Sequence, residues 1–292
     1  MEKTREYAYA KINLTLDVTE KRADGFHNIE SIMHSLSLSD ELTVELWKSE
    51  NTEINLIING NDSLPTDGRN LVVKAAKAYL EKIGESAKIN MTLVKRIPSS
   101  AGLGGGSSDA AATLRALNRI FDGRLSSDEL SSLGALLGSD VPYCIVGGTA
   151  LCRGRGEILS EINTAAKGAF VVAIGEDGVS TPRAYAELDR IYSDFKDYSS
   201  VGKDRNERMI KSLLDGKISA SCLYNIFEDA VIKNCPSVEK IKEVMLSAGA
   251  LGALMSGSGP SVFGLFENSN AAKEAAEKLS QMGYRAFFAE SV

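Results

Sequence analysis

The sequence predicts an α+β protein made of two halves, and three observations predict it. Its 292 residues suggest two domains rather than one. Strand-like alternation and helix-like spacing are interleaved along it without a strict β-α-β rhythm. The pattern weakens around residues 154–162, between two stretches that each carry both kinds of element. That break divides the chain into a first domain over 1–157 and a second over 158–292.

The elements follow in order. Tyr7 to Val18 alternates, with Ala8, Ala10, Ile12, Leu14, Leu16 and Val18 on one face and Tyr7, Tyr9, Lys11, Asn13, Thr15 and Asp17 on the other. This predicts a strand with one buried and one polar side. Asp24-Gly25 marks a turn. Residues 26–38 run extended into an alternating strand at 42–47, and Ile54 to Ile58 reads as another. Residues 59–70 read as a loop and 70–83 as a helix. A strand over 88–96 leads into a glycine-rich loop, after which Ala110, Leu114, Leu117 and Phe121 recur at helical spacing. Ser126-Ser-Asp-Glu129 reads as a capping box that starts a helix running to about Leu137. Residues 144–153 read as a strand with a bulge at Gly147-Gly148.

In the second half, Ala169 to Ile174 is an apolar strand, and Ser180-Thr-Pro182 opens a helix with proline in its first turn. Residues 192–208 read as an exposed polar helix or loop. Helices are predicted at about 207–215, 223–232 and 237–248. Strands at 251–255 and 261–267 flank Gly257-Ser258-Gly259-Pro260, and a helix at 270–282 and a strand at 284–289 follow.

Composition narrows the function classes. Hydrophobic residues at 43% and charged residues at 25% are ordinary values for a soluble globular protein. No apolar run approaches the length of a membrane span. The opening Met-Glu-Lys-Thr-Arg-Glu-Tyr-Ala lacks the apolar core of a signal peptide. Cys144, Cys152, Cys222 and Cys235 form no C-x-x-C pair and no cluster with histidine. A cytoplasmic protein with reduced thiols is expected, a monomer or homodimer with no membrane partner. With 33 Lys plus Arg against 39 Asp plus Glu, the net charge is −6, and the basic excess of a nucleic-acid binder is absent. An anionic ligand would need cations gathered locally, and Lys11, Lys95, Arg96, Arg153 and Arg155 are candidates.

The most informative stretch is Pro98-Ser99-Ser100-Ala101-Gly102-Leu103-Gly104-Gly105-Gly106-Ser107-Ser108. Its four glycines within residues 102–106 permit backbone bends that side chains forbid, and let main-chain amides approach a ligand closely. The helix that follows opens with amides that lack internal partners, at the positive end of its dipole. Strand, glycine loop and helix together make an anion site, read here as a nucleotide triphosphate loop. It is not a Walker A loop, since no lysine precedes Ser107. It is a poor dinucleotide fingerprint too, because two helices rather than a helix and a strand follow it.

Three segments together resemble one superfamily. Lys11-Ile-Asn13-Leu with Asp24-Gly25-Phe26-His27, then Pro98 to Ser108, then Met255-Ser-Gly257-Ser258-Gly259-Pro260-Ser-Val-Phe are similar to the three motifs of the GHMP kinases. Arg22-Ala-Asp-Gly-Phe-His27, Gly138-Ser-Asp140-Val-Pro142 and Gly154-Arg-Gly156-Glu157 resemble the branch that uses ATP to phosphorylate the 2-hydroxyl of a cytidine diphosphate-linked methylerythritol in non-mevalonate isoprenoid biosynthesis. The resemblance implies an N-terminal domain like ribosomal protein S5 domain 2 and a C-terminal ferredoxin-like domain, with the active site in the cleft between them.

It also implies roles. Pro98, Ser99, Ser100, Ala101, Gly102, Leu103, Gly104, Gly105, Gly106, Ser107 and Ser108 would hold ATP. Asp140 would be the general base and Lys11 its cationic partner, with Asn13 orienting substrate. Phe26, His27 and Tyr185 would hold the cytidine, and Gly257, Ser258 and Gly259 would close over the substrate phosphates. Asn70 and Lys95 are positional candidates for adenine. Asp109, which would repel phosphate if it faced the site, should point away from it. Mg²⁺ must accompany ATP, and Ser108 and Asp140 are the nearest oxygen donors for it. The competing readings are another small-molecule kinase of the superfamily, of mevalonate or homoserine type, and a non-catalytic ATP-binding sensor of the same fold.

Overall fold

A computed structural model describes residues 1–61, 63–175, 178–192 and 202–292, without the side chains of 202 and 203. In chain order the elements are β1 (Glu2–Lys21), β2 (His27–Lys48), β3 (Glu53–Asn59), α1 (Leu71–Ile83), β4 (Ala87–Val94), α2 (Gly105–Ile120), α3 (Ser127–Leu137), α4 (Val141–Val146), β5 (Thr149–Arg153) and β6 (Ile158–Glu161). They continue as β7 (Ala169–Ile174), α5 (Thr181–Ile191), α6 (Gly202–Leu214), β8 (Tyr224–Asn225), α7 (Phe227–Val231), α8 (Pro236–Ser247), β9 (Gly252–Met255), β10 (Ser261–Phe266), α9 (Ser269–Gln281) and β11 (Arg285–Glu290). Residues 193–201 of the expected polar stretch lie outside the described residues.

The chain forms two compact units, one of residues 1–10, 39–99 and 104–147, the other of residues 11–38, 100–103 and 148–292. In the first unit, residues 41–48 of β2 pair antiparallel with β4, with Val44 opposite Met91, and β3 pairs parallel with β4. Helix α1 is capped by Asn70, whose side chain accepts from Val72 N–H, and it buries Val72, Ala75, Ala76, Tyr79 and Leu80. Asn70 thus serves the helix end that its residue type favours. The alanine-rich α2 packs closely on α1 and α4. Helix α3 opens with the expected capping box, in which Ser126 and Glu129 satisfy each other's amides.

One strand was misplaced by the sequence pattern. Residues 141–146 form α4, with Pro142 in its first turn, and the strand begins only at Thr149. Gly147 and Gly148 take φ of 74° and 68°, so they form a turn between helix and strand rather than a bulge. Proline in a helix's first turn lacks no needed hydrogen bond, and this outweighs the β-leaning composition of the segment.

In the second unit, β5 pairs antiparallel with residues 31–34 of β2 and with β6, while β8 lies parallel to β1 with Thr15 opposite Tyr224. A separate antiparallel sheet has the order β11-β7-β10-β9, packed by α8 and α9. Its connectivity β7-α8-β9-β10-α9-β11 is ferredoxin-like. The helix expected at 223–232 is interrupted, because the Asn225 side chain accepts from Phe227 N–H and donates to the carbonyls of Met255 and Gly257. Such local side-chain bonds compete with a helix ladder.

The polar face of β1 is covered over much of its length. Lys11, Asn13, Thr15 and Asp17 are all buried. Buried polar groups need partners, and that requirement organises the site described below.

His34 is buried and hydrogen-bonded through Nδ1 to Thr149 Oγ1 at 2.8 Å and through Nε2 to Ser291 Oγ at 2.7 Å. Burial, with a smaller push from Lys167, lowers its pKa to about 4. Between pH 6.5 and 4 the unfolded chain binds a proton here that the folded chain refuses, so stability drops by about 1.4 kcal/mol for each unit the pH is lowered through that window and is unaffected above it. His34→Asn removes that sensitivity. Its deficit relative to the parent, measured by denaturant unfolding, is expected to be largest above pH 7 and to shrink as pH approaches 4. A deficit constant across that range refutes the assignment.

Candidate active site

Alternation along β1 places Lys11 and Asn13 on one face. Lys11 Nζ donates to Asn13 Oδ1 at 2.8 Å, and the same oxygen accepts the Gly257 N–H at 3.0 Å. Asn13 Nδ2 donates to Ser31 Oγ at 2.8 Å, and the Ser31 hydroxyl donates to the Thr15 carbonyl at 2.6 Å. Asn13 is therefore held by both ends of its amide.

The glycine loop is pinned by its carbonyls. The Ala101 carbonyl accepts from the Ser261 hydroxyl, the Gly102 carbonyl from the Ser256 hydroxyl at 3.0 Å, and the Leu103 carbonyl from Lys11 N–H at 2.9 Å. A trans peptide carries its C=O and N–H on opposite sides. Fixing these carbonyls toward 256–261 and β1 turns the amides of Gly102, Leu103 and Gly104 the other way. Ser100, Gly102 and Gly104 adopt φ of 54°, 74° and 69° to make that path.

The third glycine segment is the other half of the clasp. A Cβ on Gly102 would collide with the Ser256 carbonyl oxygen, and one on Gly257 would lie 3.2 Å from Gly102 Cα. Backbone thus packs directly on backbone. Asn225 Nδ2 holds the Met255 and Gly257 carbonyls at 2.7 and 2.8 Å. The Gly257 amide is engaged by Asn13 and the Gly259 amide by the Ser256 carbonyl at 3.0 Å. Ser258 Oγ is 2.7 Å from Thr181 Oγ1.

In the first unit, α2 begins at Gly105 and its first internal bond reaches from Ser108 N–H to the Gly104 carbonyl. The amides of residues 105–107 precede it, as at any helix start. Gly106 is exposed and Ser107 half-buried, whereas Ser108 is buried and donates to the Gly105 carbonyl at 2.9 Å. Of the loop's entry, Pro98 is buried and Ser99 and Ser100 are exposed. A Cβ on Gly138 would lie 3.8 Å from Ser107 Oγ, which puts the segment leading to Asp140 beside the start of α2. Asp140 is half-buried at the N-cap position of α4, yet its side chain makes no cap hydrogen bond.

Lys95 lies elsewhere than a nucleotide contact requires. Its ammonium is buried between Asp40 and Asp109 Oδ2, the latter at 2.7 Å. Asp40 Oδ1 also accepts from the amides of Arg96 and Ile97. Asp109 points into this interior, as expected. Burial pushes its carboxyl up to about 7, opposed by the pull of Lys95. The other candidate cations are matched as well: Arg96 lies 3.8 Å from Glu41, Arg153 2.8 Å from Glu30 and Arg155 3.8 Å from Glu157.

The aromatic set forms a second cluster. The His27 and Tyr185 rings stack at 4.6 Å with 19° between planes, and Phe227 meets Tyr185 edge-on at 4.8 Å. Phe26 is exposed, with the Arg155 guanidinium 5.1 Å from its ring centre. His27 Nε2 lies 2.7 Å from Asp189 Oδ1, and Lys21 Nζ donates to Asp189 Oδ2 at 2.6 Å.

Ser31, Asn225, Ser256, Ser261 and Asp189 went unread in the sequence. Ser256 and Ser261 stand inside the third motif, and Asp189 one helical turn after Tyr185, so their spacing held the signal. Among the described residues no three His, Cys, Asp or Glu side chains are grouped to hold a metal ion, and no helix is long and apolar enough to cross a membrane.

Comparison with known proteins gives the family. Residues 70–148 match the GHMP kinases N terminal domain and residues 209–285 the GHMP kinases C terminal model. A 4-diphosphocytidyl-2-C-methyl-D-erythritol kinase of Caldicellulosiruptor saccharolyticus is 42% identical over 93% of this chain and 91% of its own length. One of Clostridium tetani is 35% identical over 98% of this chain and 99% of its own. A crystal structure of a 4-(cytidine 5'-diphospho)-2C-methyl-D-erythritol kinase superimposes with a TM-score of 0.81 at 33% identity, over 99% of both chains. A mevalonate kinase of L. major in complex with R-mevalonate shares the fold, with a TM-score of 0.76 at 17% identity over 99% of this chain and 95% of that one.

The clasp predicts unequal tolerance among the glycines. Gly102→Ala combines a left-handed φ with a clash against backbone and is expected to cost about 2–4 kcal/mol. Gly106→Ala meets only the Leu71 side chain, at 3.6 Å, and should stay within about 0.5 kcal/mol of the parent. Denaturant unfolding of both variants checks this, and equal losses would contradict it.

Proposed function

The chain belongs to the GHMP kinase family and within it to the 4-diphosphocytidyl-2-C-methyl-D-erythritol kinases, and we propose how its residues serve that activity. It is an ATP-dependent kinase that phosphorylates the 2-hydroxyl of 4-diphosphocytidyl-2-C-methyl-D-erythritol in isoprenoid biosynthesis. The observation that carries the reading is the pinning of the Ala101, Gly102 and Leu103 carbonyls, which turns bare amides outward and ties the loop to Lys11.

Phosphoryl transfer needs cradled phosphates, neutralised charge and a positioned acceptor hydroxyl. Residues Pro98 to Ser108 supply the cradle through their amides and the start of α2. Asp140 takes the proton of the acceptor hydroxyl. Lys11 stabilises the charge that develops on the transferred group, and Asn13 fixes the Lys11 ammonium and orients the substrate. Phe26, His27 and Tyr185 hold the cytidine, and Phe26 offers its exposed ring to the base. Gly257, Ser258 and Gly259 close over the substrate phosphates as a segment whose shape is fixed from within. This assignment follows from the engagement of the Gly257 and Gly259 amides inside the protein.

Mg²⁺ would accompany ATP and supply charge neutralisation at the phosphates. The donor set fits a hard cation that takes most of its ligands from phosphate and water. The half-buried Ser107 hydroxyl and the Asp140 carboxylate are the protein oxygens proposed for it. Ser108 stays a candidate beside them, since its hydroxyl donates its hydrogen to the Gly105 carbonyl and keeps its oxygen lone pairs. We place the protein in the cytoplasm as a monomer or homodimer.

ADP release assayed with the cytidyl substrate, mevalonate and homoserine separates this reading from a related kinase or a nucleotide sensor. Activity is expected only with the first. Asp140→Asn and Lys11→Ala are each expected to lower kcat by roughly 10²–10⁴ while ATP still binds, and unchanged turnover in Asp140→Asn removes it as the base. Tyr185→Ala should raise the KM of the cytidyl substrate more than it lowers kcat. An equal loss on a substrate lacking the base argues against a role in holding it.

A further inference from the structure

We infer that Asp189, paired with Lys21, is a positioning residue that sets which pyrimidine the enzyme accepts, by fixing the tautomer of His27. This rests on the reading above that His27 meets the base. A carboxylate accepts hydrogen bonds and, when ionised, donates none. With Asp189 Oδ1 at 2.7 Å, His27 Nε2 must carry the proton and donate it. The neutral ring then has a lone pair on Nδ1.

Lys21 makes the arrangement one-sided. Its ammonium donates to Asp189 Oδ2 at 2.6 Å. It takes the other carboxylate oxygen and leaves Oδ1 to the imidazole. The ring itself is fixed by stacking on Tyr185, and its side chain is only 5% exposed. Tyr185 and Asp189 are four residues apart on α5, so one helix face supplies both the stacking partner and the proton acceptor.

An Nδ1 lone pair selects for a base that offers a donor. Cytosine presents an exocyclic amino group where uracil presents a carbonyl oxygen. Nδ1 facing that carbonyl would set two acceptors against each other in a poorly hydrated site. A mismatch of this kind leaves a buried polar group unpaired and discriminates strongly. Asp189 thus acts on substrate choice without touching substrate.

The test compares kcat/KM for the cytidyl substrate and its uridyl analogue in the parent and in Asp189→Asn. It is combined with ¹⁵N NMR of the imidazoles, which are few enough to assign because the chain has 2 histidines. In Asp189→Asn, Lys21 still donates to the amide oxygen, which turns the amide N–H toward Nε2. That forces the proton onto Nδ1 and makes it a donor. The parent is expected to show a protonated Nε2 and to prefer the cytidyl substrate by about 10²-fold or more. Asp189→Asn should shift the His27 proton to Nδ1 and narrow the preference to within about tenfold, chiefly by lowering the KM of the uridyl analogue. The His34 resonances, unchanged, certify the fold.

A parent protein with the proton on Nδ1 overturns the proposal without any variant. A parent that discriminates and an Asp189→Asn that discriminates equally overturn the role of Asp189 but leave base recognition by His27 intact. A parent indifferent to the base overturns both.

Discussion

The site depends on the planarity of three peptide bonds. A glycine loop that offers its amides to an anion has no side chains to hold it open. Left alone, it would turn those amides to its own carbonyls or to water. Here the carbonyls of residues 101–103 are each claimed by a donor from Ser261, Ser256 or the backbone of Lys11. Because the peptide is rigid, claiming one side presents the other. The glycines at 102 and 257 serve closeness as much as flexibility, since a methyl group at 102 would overlap the Ser256 carbonyl oxygen and one at 257 would press on the Gly102 backbone. Preorganisation of this kind is what makes amide dipoles effective toward charge that develops during a reaction.

Behind the loop, the buried trio of Lys95, Asp40 and Asp109 joins the strand that enters it to the helix that leaves it. One ammonium between two carboxylates, all nearly inaccessible, is a costly arrangement unless each group is bonded. Asp40 meets that demand fully, with Lys95 and two backbone amides. Asp109 does not, since its Oδ1 is buried and has no hydrogen-bond partner among the described residues. Burial is the main cause of its raised pKa, and the Asp40 carboxylate adds to it against the pull of Lys95. The trio holds the loop's two ends together, and it also keeps two negative charges away from the face where phosphate would lie.

Much of this was legible in the sequence, for identifiable reasons. The glycine run, the capping box at Ser126 and the alternation of β1 each reflect a local rule, and local rules survive without tertiary context. The ferredoxin-like order of the second sheet was beyond periodicity and came only through resemblance. The burial of the polar face of β1 was unreadable because Lys11, Asn13, Thr15 and Asp17 alternate like any solvated edge. Helix α4 was missed because six residues are too few to show a helical period. Lys95 looked like a ligand because a lysine beside a phosphate loop usually is one. Its two aspartates lie 55 and 14 residues away, a separation that no sequence pattern signals.

Asn13 couples what would otherwise be independent parts. A single carbonyl oxygen serves the Lys11 ammonium and the Gly257 amide, and the other end of the same amide is tied to Ser31. An ammonium has three N–H donors, so Lys11 can meet an incoming anion while its bond to that oxygen keeps it in place. The same oxygen fixes a segment 244 residues further along the chain, so one side chain sets the position of both the cation and the clasp.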